Sequence, residues 1–334
     1  MLEHGGNLAA AAKQYSIPLE NWLDLSTGLN PNGYPIANIP ASVWQKLPLD
    51  DDGLVEAACA YYGCQFALPT AGSQAALQAL PQLRTVSKVA MPRLMYQEHA
   101  TAWQHYGHEV IKFEVYPDEN TIQRADVVLL CNPNNPTATQ FSTAELLGWH
   151  AQLAKHDGWL IVDEAFIDVT PEHSIAKHAH LKGLFVLRSL GKFFGLAGAR
   201  VGFLLGAQQM LLNAQEEIGP WSITGPSRLI AKQALLDQSW QEAARLQLPK
   251  SSLRLAELLT KYGLKPTAGT AFFQFVHTSK APLLQHQFAQ EGGLLRLFNE
   301  VPALRFGLPP DDGWDRLELV LRKLALKTYT KNSR

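Results

Sequence analysis

Cysteine is scarce in this chain, with three in 334 residues. Cys59, Cys64 and Cys131 lack the paired spacing of a metal knot, and an odd count argues against a disulfide framework, so a reducing compartment and no metal are expected. Long apolar runs are missing as well: no uninterrupted stretch reaches the ~20 residues of a membrane-spanning helix. The opening MLEHGGNLAAAAKQYS places Glu3 and His4 before a short alanine run, unlike the basic start and long apolar core of a secretory signal. Basic clusters are absent too. The 29 Lys and Arg are scattered among 30 Asp and Glu, so nothing points to nucleic acid, and an anion site must come from a few placed side chains and helix ends. No internal repeat or low-complexity segment is present. These absences leave a soluble, cytoplasmic protein with a small-molecule partner, no nucleic acid and no membrane.

What the chain does contain is an alternation of short apolar runs with longer helix-like segments, the pattern of βαβ units around a mainly parallel sheet. Strands are predicted at 86–91, 109–113, 126–131, 159–163, 184–188 and 201–205. Between them, STAELLGWHAQLAKH at 142–156 opens with Ser142 followed by Glu145, a capping box. After Pro226 the texture changes to a helical stretch over 227–262, then strand-like runs at 271–276, 293–298 and 316–321. The length allows two domains. The expected division is an N-terminal arm at 1–40 belonging to the small domain, a large ligand-binding domain at 41–225 and a small α+β domain at 226–334.

The densest chemical signal is SLGKFFGLAGARVGF at 189–203, where Lys192 sits among small residues that let a planar ligand approach closely. Alone, this reads more readily as a surface lysine in a Gly-rich loop. Upstream, the apolar run WLIV leads into Asp163-Glu164, placing a carboxylate at the carboxyl end of a buried strand, where open α/β sheets bind ligands. A carboxylate facing a ring nitrogen keeps it protonated, and a lysine amine forms imines with aldehydes. CNPNNPT at 131–137 puts Asn135 at another strand end, although Asn-Pro is also a common turn pair. At 70–74, TAGSQ opens a helical run whose free N–H groups and Ser73 hydroxyl suit a phosphate, with a plain N-cap as the alternative. Tyr96 follows the strand at 86–91, where its ring could stack on a planar ligand or fill the core.

With Ser73, Tyr96, Asn135, Asp163, Ser189, Lys192 and Arg200 in this order and spacing, the chain resembles the fold-type I pyridoxal 5'-phosphate (PLP) enzymes of the aminotransferase class I/II family. The resemblance implies an aspartate-aminotransferase-like α/β fold with a large, mainly parallel-sheet domain and a smaller α+β domain. It implies Lys192 as the Schiff-base lysine, Asp163 at the pyridine nitrogen, Tyr96 stacked on the ring and Asn135 at its phenolic oxygen. Gly72, Ser73, Gln74, Ser189 and Arg200 would hold the cofactor, and Arg316, in the predicted strand at 316–321, would grip the substrate carboxylate, a task that suits a planar guanidinium. HGGN at 4–7, LDLSTGLNPNGYP at 23–35 and RSLGKFFGLAG at 188–198 resemble the threonine-phosphate decarboxylases of cobalamin biosynthesis. That resemblance implies decarboxylation of L-threonine O-3-phosphate, with His4 and Asn30 near the phosphorylated side chain. Histidinol-phosphate-like transamination is the alternative. A non-catalytic PLP-binding regulator is a distant one, since regulators of this fold carry a DNA-binding domain ahead of it and here the fold starts within the first 40 residues.

Two positions depart from the broader family. Phe166 stands where many aminotransferases have a tyrosine at the ring oxygen, and Leu47 where relatives often have a tyrosine that reaches the partner subunit's cofactor phosphate. A homodimer is still expected, without that hydroxyl.

Overall fold

The computed structural model describes residues 5–331. Thirteen strands occur among the described residues. In chain order they are β1 (Leu23–Asp24), β2 (Ala67–Thr70), β3 (Lys88–Pro92), β4 (Glu109–Phe113), β5 (Val127–Cys131), β6 (Trp159–Asp163) and β7 (Leu184–Ser189). They continue with β8 (Gly202–Leu205), β9 (Ala268–Thr270), β10 (Phe273–His277), β11 (Gly293–Leu294), β12 (Arg296–Phe298) and β13 (Ala303–Gly307). The chain divides into two compact units, one of residues 33–135 and 139–245, the other of residues up to Asn32 with 136–138 and 246 onward.

The larger unit holds a seven-stranded sheet in the order β2-β8-β7-β6-β5-β3-β4. Strands β4, β3, β5, β6 and β7 are parallel, and β8 runs antiparallel to both β7 and β2. Leu160, Ile161 and Val162 are successive residues of β6 and all are fully buried, so both faces of the sheet are covered, as parallel sheets require. The helix Thr143–Ala154 starts at the predicted capping box: Ser142 Oγ accepts the Glu145 N–H at 3.2 Å, and Glu145 accepts the Ser142 N–H at 2.8 Å. The parallel register aligns Cys131 with Asp163, and the antiparallel one sets Ser189 and Thr70 beside Gly202. Four strand ends and one strand start therefore meet along one edge of the sheet.

The expected boundary at 225/226 falls instead at 245/246. The helix Gly225–Leu236 stays with the larger unit because it packs on the helix Leu54–Tyr62. Arg228 there donates to both carboxylate oxygens of Asp52 at 2.7 and 2.8 Å, and Lys232 caps the Asp52 carbonyl. The predicted helical stretch is two helices, Gly225–Leu236 and Gln238–Lys261, broken at Asp237.

The smaller unit contains a four-stranded antiparallel sheet, β12-β13-β10-β9, and the short parallel pair β1-β11. The N-terminal segment forms the helix Leu8–Tyr15 and then β1. The strand expected at 316–321 is not a strand but part of the helix Trp314–Lys331. Trp314, Leu317, Val320, Leu321 and Leu324 are buried, a spacing of three and four that marks one helix face, whereas RLELVL also reads as a two-residue alternation. No helix among the described residues is long and apolar enough to cross a membrane.

Candidate active site

The edge where the strand ends meet opens into a pocket lined by Ser73, Gln74, Tyr96, Asn135, Asp163, Ser189, Lys192 and Arg200. These eight predicted site residues come from five separate segments of the larger unit, and the fold brings them together.

Asp163 ends β6 and is nearly buried. Its Oδ1 accepts the Ala165 N–H at 3.0 Å, and its Oδ2 lies 2.9 Å from His99 Nε2. An ionised carboxylate can only accept, so the Nε2 hydrogen of His99 donates to it. His99 is 1% exposed and its ring meets that of Tyr96 edge to face at 5.9 Å. No sequence signal singled His99 out. Cys131, at the end of β5, completes this corner: its sulfur takes the backbone N–H groups of Tyr96 and Asn135, and burial pushes its thiol pKa upward. The Asn134 side chain donates to the Leu94 carbonyl at 2.9 Å, so the Asn135 and Tyr96 loops are tied together twice. Although His99, Cys131 and Asp163 could together face a metal ion, the histidine proton is spent on the carboxylate.

Tyr96 is anchored from the far side, its hydroxyl donating to Gln74 Oε1 at 3.4 Å while the Gln74 amide donates to Glu98 at 3.3 Å. Burial, with the nearby charges of Glu98 and Asp163, pushes the Tyr96 phenol up to about 12. Gln74 thus holds Tyr96 as well as lining the pocket.

Lys192 lies in the turn after β7. Its loop is pinned by the Leu196 N–H on the Leu190 carbonyl at 3.2 Å and the Tyr34 N–H on the Phe194 carbonyl at 2.8 Å. Phe193 and Phe194 are fully buried, and Phe194 stacks on Trp240 at 5.5 Å. The lysine Nζ sits 5.4 Å from the centre of the Phe166 ring, which offers a π face and no hydroxyl.

The third corner is made by close backbone approach. A Cβ on Gly202 would strike the Ser73 nitrogen and the Arg188 carbonyl, so only glycine lets the helix Ser73–Ala79 start against β8. Gly72, at φ 70°, sits under the Arg200 guanidinium, where a Cβ would lie 2.5 Å from Nη2. Backbone N–H groups at a helix start, two hydroxyls and a guanidinium form a phosphate seat. The donor set fits PLP: a lysine amine, a buried carboxylate held by a histidine, an asparagine amide, a flanking phenol and an anion cradle. When bound, PLP supplies a protonated ring that withdraws electrons from the substrate.

The remaining expected residues lie elsewhere. Asn30, in the smaller unit, is buried and accepts the Asn32 N–H at 3.0 Å, and His4 lies outside the described residues. The Arg316 side chain starts from a helix, and its Nη2 donates to the carbonyls of Asn21 and Gly292. In the same unit, Arg305 on β13 is paired in register with Arg296 on β12, is buried and stacks over Phe273 at 5.3 Å. Burial, and then the like charge of Arg296, lower the Arg305 pKa to about 10.

Residues 47–317 match the model of the aminotransferase class I and II family. The chain belongs to that family. It is 48% identical over 322 residues to a threonine-phosphate decarboxylase of Pseudomonas aeruginosa, covering 96% of this chain and 97% of the relative. A threonine-phosphate decarboxylase of Sinorhizobium sp is 37% identical over 94% of this chain and 95% of its own. Among solved structures, histidinol-phosphate aminotransferase from Sinorhizobium meliloti in complex with pyridoxal-5'-phosphate superposes with a TM-score of 0.79 at 19% identity, covering 97% of this chain and 96% of that one. The fold is thus that of the aminotransferases.

Proposed function

We propose that this chain is a PLP-dependent threonine-phosphate decarboxylase, converting L-threonine O-3-phosphate to (R)-1-amino-2-propanol O-2-phosphate for cobalamin biosynthesis. The observation that carries this is the 48% identity, spread over 96% of the chain, to a relative of that name. In this reading Lys192 holds the cofactor and releases the product, Asp163 keeps the ring nitrogen protonated, and Tyr96 packs against the ring. Asn135 contacts the ring oxygen, and Ser73, Ser189 and Arg200 hold the phosphate. With the cofactor bound, the arginine that fixes the substrate carboxylate would select which bond at Cα breaks. We assign that arginine to Arg305 rather than Arg316: each donates to backbone carbonyls, Arg305 to Ser26 at 2.6 Å, but Arg305 is buried and paired in register with a second guanidinium, Arg296.

We also propose a cytoplasmic homodimer. Ile36, Trp44, Leu47, Leu49 and Trp221 of the larger unit are all more than 60% exposed, an unusual cost for a monomer in water. The reaction is tested by supplying threonine phosphate with no keto acid. Continuous CO2 release supports decarboxylation. A single stoichiometric turnover that resumes only when a keto acid is added, or turnover of histidinol phosphate instead, assigns the chain to transamination.

A further inference from the structure

Outside the pocket, two of the three cysteines meet at a helix end. The helix Leu54–Tyr62 stops at Gly63, whose φ of 65° is left-handed, and the Cys64 N–H reaches back to the Cys59 carbonyl at 3.2 Å. This six-to-one bond is that of a Schellman motif, whose geometry brings the side chains at its two ends into contact. In most proteins that contact is apolar; here both ends are cysteine. The Cys59 thiol donates to the carbonyl of Gln65, the residue next to Cys64, at 3.8 Å. Cys59 is partly exposed and Cys64 is buried.

We infer that Cys59 and Cys64 form a reversible dithiol–disulfide site, oxidised by low-molecular-weight disulfides of the glutathione type. The Cys59 thiolate attacks one sulfur of the oxidant, breaking its S–S bond and expelling one thiolate, which takes up a proton. Cys64 then loses its proton and attacks the Cys59 sulfur, forming the Cys59–Cys64 bond and expelling the second thiol. Two protein thiols are oxidised by two electrons, and one disulfide is reduced to two thiols. Exposure assigns the first attack to Cys59 and the resolving attack to Cys64. The neighbouring Cys64 thiol lowers the Cys59 pKa, which favours the attacking thiolate, while the Cys59 thiol and burial raise that of Cys64. The bond would close over Tyr61 and Tyr62, whose rings pack on Phe194 at 5.6 Å and Phe203 at 5.5 Å.

The test is equilibration of the folded protein in glutathione buffers of rising oxidised fraction, followed by alkylation and mass spectrometry, with circular dichroism recorded alongside. Both cysteines fall in one tryptic peptide, 47–84, so the expected product is that peptide lighter by two hydrogens and resistant to fragmentation between 59 and 64. Dithiothreitol should reverse it. Cys64→Ser should stop at a glutathione adduct on Cys59, and Cys59→Ser should give neither adduct nor cross-link. A lasting adduct on wild-type Cys59, a disulfide between two chains, cross-linking only when the dichroism is lost, or two thiols still alkylatable in the most oxidising buffer would each overturn the site.

Discussion

Replacing His99 with phenylalanine isolates one hydrogen bond at the heart of the pocket. The ring keeps its size and its edge-to-face packing on Tyr96 at 5.9 Å, while the donor 2.9 Å from Asp163 Oδ2 is lost. Asp163 then keeps only the Ala165 N–H, at 3.0 Å on its other oxygen. A hydrogen bond to a charged group contributes ~1.5–3 kcal/mol. At ~1.4 kcal/mol per decade, its loss weakens PLP affinity by roughly 10- to 100-fold. The assay is titration of cofactor-free protein with PLP, followed by absorbance, with circular dichroism confirming the fold. His99→Gln, which retains an amide donor, should recover part of the affinity. Affinity unchanged in His99→Phe, or equal losses in the Phe and Gln variants, would refute the claim that His99 acts by donating to Asp163.

Borohydride reduction of the PLP-loaded protein should leave a phosphopyridoxyl label on Lys192, and Lys192→Ala should be inactive; a label on another lysine removes the assignment. Arg305→Lys keeps the charge but loses the planar fork, a change of about 3 kcal/mol or roughly 100-fold in kcat/KM, whereas Arg316→Lys should change it little. The reverse ranking returns the carboxylate to Arg316. For Tyr96, whose phenol is raised from 10.0 to about 12, the folded state favours the protonated form, so its contribution is whole below pH 10 and fades between there and about 12. Urea unfolding across that range should therefore show a shallower decline for Tyr96→Phe than for wild type, and parallel curves would contradict the buried-phenol argument.

Much of the pocket could be read from the chain because its residues follow strand ends with recognisable local chemistry: glycines where backbone must come close, Asn-Pro turns, and a carboxylate after WLIV. His99 could not be. It lies within the helix Glu98–His105, and its partner is 64 residues away, so only the tertiary fold reveals the pair. Cys131 looked like the end of an apolar strand, which it is, but its sulfur also gathers two loops. The strand reading around Arg316 failed for a different reason: Leu317, Leu319 and Leu321 make a two-residue repeat over six residues, although only Leu317 and Leu321 lie on the buried face of what is a helix. Arg305, flanked by apolar residues in ALRFG, had no local motif to mark it.

The dipeptides Asp163-Glu164 and Arg188-Ser189 show how the pocket is kept rigid. Consecutive residues of an extended chain point to opposite sides. Asp163 and Ser189 line the pocket, while Glu164 and Arg188 turn away and meet each other at 2.8 Å. Arg188 also binds Asp168 at 2.5 Å, and Glu164 accepts from the Ser174 hydroxyl and the Ile175 N–H. All three charged groups are at most 2% exposed. Burial pushes the Glu164 carboxyl up, offset in part by Arg188 and Ser174, so the guanidinium is what makes a charged Glu164 tolerable there. Arg188→Met would strand two carboxylates without a cation, at a cost of ~3–5 kcal/mol, and would free the ends of β6 and β7 to shift against each other. Urea unfolding should register that loss. Adding Glu164→Gln and Asp168→Asn to the same chain should recover part of the stability, because the buried charges are gone, but should not recover PLP affinity if the clamp sets the spacing between Asp163 and Ser189. A stability loss below ~1 kcal/mol in Arg188→Met, or full recovery of affinity in the triple variant, would mean the pocket edges hold their places without the clamp.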